Sequence, residues 1–315
     1  MIGYAPSRSK GAVPFAKLGA ALAVVALAFV SVLALPGCAE REAADTETVG
    51  PANPPFFEIV GPDGSVEGWM LGTIHALPDG VEWRTPAIQQ AIEEADYLLL
   101  EVAGLDDRAG IAATFAQLSR SHGLQPLAER VDPDLRDEVE EMIDRSGQGA
   151  AALHMSEDWA AAILLSRVDA PGKPANGVDR AVLADFAGRD VQGFETAAEQ
   201  LSIFDALAEE DQRVLLEETV REWIALQEKP RTLIQSYLSG DLEALEQKTT
   251  TGIMADAELR EALLVGRNRR WMGNLLPRLQ QAPRPLIAVG AAHLVGPDGL
   301  PAMLEARGYT IRLAR

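Results

Sequence analysis

Two segments far apart in this chain share one pattern. Trp69-Met70-Leu71-Gly72-Thr73-Ile74-His75 runs on to Pro78-Asp79-Gly80, and Leu286-Ile287-Ala288-Val289-Gly290-Ala291-Ala292-His293 runs on to Pro297-Asp298-Gly299. Each is an apolar run, then Gly-x-x-His, then a Pro-Asp-Gly turn. The chain has four histidines, and two of them stand at this matched position. A histidine at the end of a buried strand is placed to ligate a metal or to move a proton. His122 and His154 lie in helical surroundings and read as structural.

Two carboxylates share that context. Glu101 follows Leu98-Leu99-Leu100, and Glu195 directly follows the short run Asp190 to Phe194. In an open α/β sheet the carboxyl edge of the strands holds the site. If these strands are neighbours, His75, Glu101, Glu195 and His293 converge. Two imidazoles with one or two carboxylates suit a divalent transition ion such as Mn²⁺, Co²⁺, Fe²⁺ or Zn²⁺. Gly72 and Gly290 are expected to let the backbone turn sharply beside a ligand. Plainer roles exist for each group: Glu101 suits a helix cap, and Glu195 a pair with Arg180 or Arg189. Arg267-Asn268-Arg269-Arg270 is a basic cluster in an acidic chain, suited to anchoring a carboxylate or stabilising an oxyanion. Asp179 reads as a helix N-cap or a site carboxylate. Trp159, Trp223 and Trp271 sit among aliphatics and read as core. The chain has no Gly-x-Ser-x-Gly elbow, no Walker A sequence and no His-Glu-x-x-His.

The elements that must position these residues follow from hydrophobic period and turn chemistry. Phe56 to Val60 and Glu67 to Leu71 flank Pro62-Asp63-Gly64-Ser65 and predict a hairpin. Pro86 to Glu94 predicts a short helix with proline at its first position. Strands are expected at Asp96 to Val102, Asp190 to Phe194, Pro285 to Val289 and Tyr309 to Leu313. Helices are expected over Asp107 to His122, Pro133 to Arg145, Ser156 to Arg167, Asp179 to Ala187, Thr196 to Glu228, Thr232 to Leu238 and Leu242 to Lys248. Ala257 to Gln281 predicts a long amphipathic helix bent at Pro277. Pro301 to Arg307 predicts a helix capped by Gly308. The pattern implies an α/β fold: a mixed central sheet covered by helices, with a largely helical middle insertion or cap over roughly 105–280.

Composition bounds the setting. Arg8, Lys10 and Lys17 precede an uncharged apolar stretch, roughly Leu18 to Leu35, that ends in Leu35-Pro36-Gly37-Cys38. A basic start, an apolar core and a small-residue end describe an export signal. Leu-x-Gly-Cys resembles the lipobox of bacterial lipoproteins, which makes Cys38, the chain's one cysteine, the lipidated first residue after cleavage over 1–37. An uncleaved transmembrane anchor is the alternative. Residues 38–55 read as a flexible tether and 56–315 as the folded domain. The expected location is a lipid anchor on the cell membrane or outer membrane, with the domain facing periplasm or cell exterior; Ala39 leans toward the outer membrane. The net charge of −19 argues against nucleic acid as a partner. With no further cysteine an intramolecular disulfide is excluded, and thiol catalysis is excluded if Cys38 is acylated.

At these residues the chain resembles the TraB/GumN family, which includes the Tiki-type metalloproteases. The resemblance is carried by Gly72-Thr73-Ile74-His75, Glu101, Gly177-Val178-Asp179, Gly193-Phe194-Glu195-Thr196 with Gln200, Arg267-Asn268, and Gly290-Ala291-Ala292-His293-Leu294 with its Gly299-Leu300 and Gly308-Tyr309 tail. It spans roughly Pro55 to Arg315. It implies an α/β core related to erythromycin esterase and haem-binding ChaN-like proteins. For Tiki members it implies a peptidase dependent on Mn²⁺ or Co²⁺. His75 and His293 would then be metal ligands, Glu101 a ligand or general base, and Glu195 a ligand or supporting carboxylate. Arg267 and Asn268 would orient substrate. Many relatives carry an acidic residue two places after the strand glutamate; here that place is Ala103.

The expectation is a lipid-anchored, exported, metal-dependent hydrolase acting on peptide or amide bonds. Two rivals use the same cleft. One is a metal-free, esterase-like hydrolase in which His75 activates water. The other is a surface lipoprotein that binds a peptide or haem without turnover; for the enzyme readings the partner is a peptide or small-molecule substrate.

Overall fold

The computed structural model describes residues 52–228, 232–280 and 283–314. The expected export signal, Cys38 and most of the expected tether lie outside the described residues. No helix among the described residues is long and apolar enough to cross a membrane.

In chain order, β1 (Phe56–Val60) and β2 (Val66–Thr73) form the hairpin, followed by α1 (Pro86–Glu94) and β3 (Tyr97–Ala103). Then come α2 (Arg108–Leu118), α3 (Arg136–Ser146), α4 (Ala150–His154), α5 (Asp158–Leu165) and α6 (Val178–Asp185). β4 (Asp190–Thr196) leads into α7 (Ala197–Asp205), α8 (Glu209–Glu228), α9 (Thr232–Ser239) and α10 (Leu242–Lys248). A continuous helical stretch follows in three parts: α11 (Ala257–Arg260), a π-helical turn (Glu261–Val265) and α12 (Gly266–Leu279). β5 (Pro285–Gly290), a 3₁₀ turn (Ala291–Leu294), α13 (Leu300–Glu305) and β6 (Thr310–Leu313) complete the described chain.

The six strands make one mixed sheet in the order β4-β3-β5-β2-β1-β6. β2, β5, β3 and β4 run parallel to one another, while β1 pairs antiparallel with both β2 and β6. Side chains alternate across each strand and sort onto two cores. Trp69, Leu71, Leu98, Leu100, Val102, Leu286 and Ala288 join the core shared with most of the helices. Met70, Tyr97, Leu99, Ile287 and Val289 face the other way, against Trp271, Met272, Leu275 and Leu279 of α12 and Leu300 and Leu304 of α13. The sheet is therefore buried on both faces, as parallel strands require.

Local signals set the boundaries. Thr85 caps α1 by accepting from the Ile88 amide, with Pro86 at the first position. Thr196 ends β4 and caps α7 through a reciprocal capping box with Glu199.

Two expectations needed correction. The stretch from Thr196 to Glu228 is two helices, because Glu209, Glu210 and Asp211 favour a fresh N-terminus at α8. The long helix from Ala257 is interrupted by the π turn, in which the Gly266 amide reaches back to the Glu261 carbonyl. The largely helical middle follows expectation, and its one strand, β4, forms an edge of the main sheet.

Candidate functional site

Parallel pairing of β2, β5, β3 and β4 puts their carboxyl ends on one edge, and this brings the expected groups together. Glu101 lies near the end of β3 and Glu195 near the end of β4, as the last residue before the cap Thr196. His75 lies two residues past β2, and His293 lies in the 3₁₀ turn directly after β5. All four side chains are buried. His75 and Glu101 line a cleft with Thr73, Leu105, Asp179 and Gln200. Its volume is about 10 Å³, room for a single water-sized occupant.

Both carboxylates are organised by one buried arginine. Arg267 has no exposure. Its Nη2 donates to Glu101 Oε1 and to Glu195 Oε2, each at 2.7 Å. Its Nε bridges both Glu195 oxygens at 3.1 Å, and Nη1 donates to the Leu263 carbonyl inside the π turn. Glu101 Oε1 also accepts from Gln200 Nε2 at 2.9 Å, and Oε2 from the Gly290 amide at 3.2 Å. Burial alone would raise the Glu101 pKa, but Arg267 and the two nearby histidines outweigh it and hold the carboxyl down to about 2. At neutral pH Glu101 is an anion and a weak base.

Glu195 spends its oxygens on structure. Besides Arg267, its Oε1 accepts from the Trp271 indole at 2.9 Å. Arg189, one of the two partners expected for it, donates instead to the carbonyls of Ile92 and Ala95. Glu195 is thus poorly placed to serve as a metal ligand, because its lone pairs are already engaged.

The two histidines are each turned by a side-chain oxygen. His75 Nδ1 lies 3.3 Å from Asp179 Oδ2. Asp179 does not cap α6; Gly177 holds the cap position, and Asp179 faces the site. A Cβ on Gly177 would come within 2.6 Å of both the His75 carbonyl and Asp179 Oδ1, so only glycine permits this approach.

His293 Nδ1 lies 2.6 Å from Asn268 Oδ1. The tautomer follows from the next link. Asn268 Nδ2 donates to the Asp298 carbonyl at 2.8 Å, a group that can only accept. The amide oxygen therefore faces the ring, and Nδ1 must carry the proton. Burial drives the His293 pKa down to about 3, so the ring is neutral and Nε2 keeps its lone pair. That lone pair stands 3.9 Å from Glu101 Oε2. Two acceptors facing each other at this distance favour a cation or a donating water between them.

Arg267 and Asn268, expected to orient substrate, are fully buried, and their side chains bond to Glu101, Glu195 and His293. Neither Gly72 nor Gly290 adopts a positive φ. Gly72 gives space, since a Cβ there would sit 3.2 Å from Ala291, while Gly290 contributes its amide to Glu101. Trp271 is more than core: its ring packs 4.4 Å from His293 and stacks on Phe194 at 5.0 Å. An indole four residues after Arg267 shares its helix face, and that spacing was the available signal. Tyr237, whose hydroxyl donates to the Gly72 carbonyl at 2.9 Å, carried no such signal. His154 accepts from the Leu127 amide and is structural, as expected. Among the described residues no group of three or more His, Cys, Asp or Glu side chains is spaced to hold a metal ion.

An uncharacterised protein, YbaP of Shigella flexneri, is 23% identical over 258 residues, covering 80% of this chain and 92% of its own length. No solved structure matches the chain. The model of the TraB/PrgY/gumN family matches residues 56–313, from the first strand to the last, and by that match the chain belongs to this family.

Proposed function

We propose that this protein is an exported, lipid-anchored hydrolase that cleaves peptide or amide bonds at the cleft beside His75, Glu101 and His293. One observation carries the reading. Each site histidine has its Nδ1 turned to a side-chain oxygen, Asp179 for His75 and Asn268 for His293. That is how metal-ligating histidines are usually oriented, with the other nitrogen directed to the metal. The lone pairs of His293 Nε2 and Glu101 Oε2 face each other across 3.9 Å, and His75 lines the cleft beside Glu101. In an ion-bound form His75 would move in to join Glu101 and His293 around the ion, Mn²⁺ or Co²⁺ by the family resemblance. When bound, it would polarise the carbonyl and lower the pKa of its water. The chain's own groups set the stage: Asp179 and Asn268 aim the imidazoles, and Arg267 with Gln200 fixes Glu101 as an anion. The low Glu101 pKa assigns it to anchoring charge rather than to general-base work.

Metal content and Mn²⁺, Co²⁺ and Zn²⁺ titration of the protein, beside a His75→Ala, His293→Ala variant, test this reading. Stoichiometric metal lost in the variant, with peptide cleavage that follows it, is the expected result. No metal in either protein would sink it.

A second, metal-free reading draws on the same Asp179. A carboxylate 3.3 Å from Nδ1 also suits an imidazole that takes a proton from water. Hydrolysis that survives thorough chelation and is lost in Asp179→Ala would favour it.

A further inference from the structure

Each Pro-Asp-Gly turn that follows a site histidine sends its aspartate back to the segment that orients that histidine. After His75, Asp79 accepts from Lys173 Nζ and Asn176 Nδ2, both at 2.8 Å. Those residues lie just ahead of Gly177 and Asp179. After His293, Asp298 Oδ2 accepts from Arg260 Nη2 at 2.7 Å, while its own backbone carbonyl takes the Asn268 amide. The first clasp is well exposed and weak. The second is about one-third exposed and is tied further, because Arg260 Nε donates to the Thr249 carbonyl at 2.9 Å.

We infer that Asp298 and Arg260 are positioning residues that fix the ring tautomer of His293. The links run from Arg260 to the Asp298 carboxylate, from the Asp298 carbonyl to Asn268 Nδ2, and from Asn268 Oδ1 to His293 Nδ1. An asparagine amide can present oxygen or nitrogen to a ring. What selects oxygen here is the carbonyl of Asp298, held in place by Arg260. If the turn is released, the amide is free to reverse, and His293 can then place its proton on Nε2. An Nε2–H would fill the space toward Glu101 and remove the lone pair that the site uses. The clasp therefore acts on the chemistry of the cleft without touching it. Its importance for turnover rests on the hydrolase reading; the tautomer does not.

The test is histidine ¹⁵N NMR on the full-length protein without added metal. The chain supplies its own reference. His154 Nδ1 accepts from the Leu127 amide at 3.2 Å, so His154 carries its proton on Nε2, opposite to His293. The wild type should show His293 as a single Nδ1–H tautomer. Asp298→Asn and Arg260→Gln should each give a mixture with substantial Nε2–H, with the His154 signal unmoved. The charge-swapped pair Asp298→Arg, Arg260→Asp should restore the single tautomer. A pure Nδ1–H pattern in both single variants, with His154 intact, would overturn the inference. If Asp298→Asn does not fold, Arg260→Gln alone decides, because the Arg260 side chain bonds to the Thr249 carbonyl and the Asp298 carboxylate, not to His293 or Asn268. Absence of hydrolysis in every variant and in the wild type would count against the proposed activity and leave the tautomer result standing.

Discussion

Arg267 Nη2 meets Glu101 Oε1 at 2.7 Å, and the arginine of this pair has no exposure to solvent. Glu195 completes a buried triad around the same guanidinium. Such a triad adds little net stability, because three charges must be desolvated to make it, but it holds two strand ends and α12 in one geometry. Removing the cation leaves two carboxylates buried without it. Arg267→Met is expected to destabilise the fold by about 3–5 kcal/mol. Urea unfolding of the two proteins measures this. Arg267→Lys should recover only part of the loss, since one ammonium cannot reproduce donation from Nε, Nη1 and Nη2.

Trp271 gives a milder version of the same test. Trp271→Phe keeps an aromatic ring between Phe194 and His293 but removes the indole donor to Glu195 Oε1. A loss of about 1–2 kcal/mol is expected, with the fold retained. A loss below about 0.5 kcal/mol in chemical denaturation would mean that Arg267 alone satisfies Glu195.

Gly177→Ala probes the other half of the site. The new methyl would press on the His75 carbonyl and on Asp179, both within 2.6 Å. A stability cost of about 1–3 kcal/mol is expected from the overpacking. Activity should fall further than stability, because the displaced pair is the one that aims His75. Alanine at Gly80, where no atom lies within 4 Å of a new Cβ but φ is +74°, serves as the comparison: it should cost stability without a matching loss of activity.

Away from the site, Glu222 on α8 sets a pH dependence. It is 4% exposed, and burial together with Glu218 pushes its carboxyl up to about 8, against the pull of Lys248. The folded state thus keeps a proton that the unfolded chain gives up near its ordinary value of 4.5. The stabilisation from that proton is complete below about 4.5 and is lost as pH rises through about 8. Glu222→Gln should remove this slope and raise stability at pH 8 by roughly 1–3 kcal/mol, with little change at pH 4.5. Thermal unfolding across that range would show an unchanged slope if the carboxyl were not responsible.

Much of the site was legible because strand ends can be read from short apolar runs. Val289-Gly290 before His293 and Leu100 before Glu101 mark where strands stop, and parallel strands must stop on the same edge. The partners were harder. Nothing local says that Arg267 turns inward to two glutamates while Arg269 and Arg270 face solvent. That choice is made by the helix's rotation, which the π turn sets and no hydrophobic period reveals. Asp179 was legible only as a choice between cap and site, since a carboxylate at a helix start satisfies both patterns. The break between Asp205 and Glu209 hid for a similar reason, because its flanks are good helix formers throughout.

The π turn at Glu261–Val265 carries one residue more than an α-helical turn would need. It therefore acts as a phase setting for everything downstream. Were the turn to straighten to α-helical pairing with all its residues kept, each later side chain would swing by about 100° around the axis. Arg267 and Asn268 would rotate off the sheet edge together, taking with them the ion triad and the fixed imidazole. Deleting Ala262, by contrast, would leave the Gly266 amide on the Glu261 carbonyl as an ordinary α-helical bond and keep the later side chains in place, so the frame of this helix is as much a part of the site as any of its side chains.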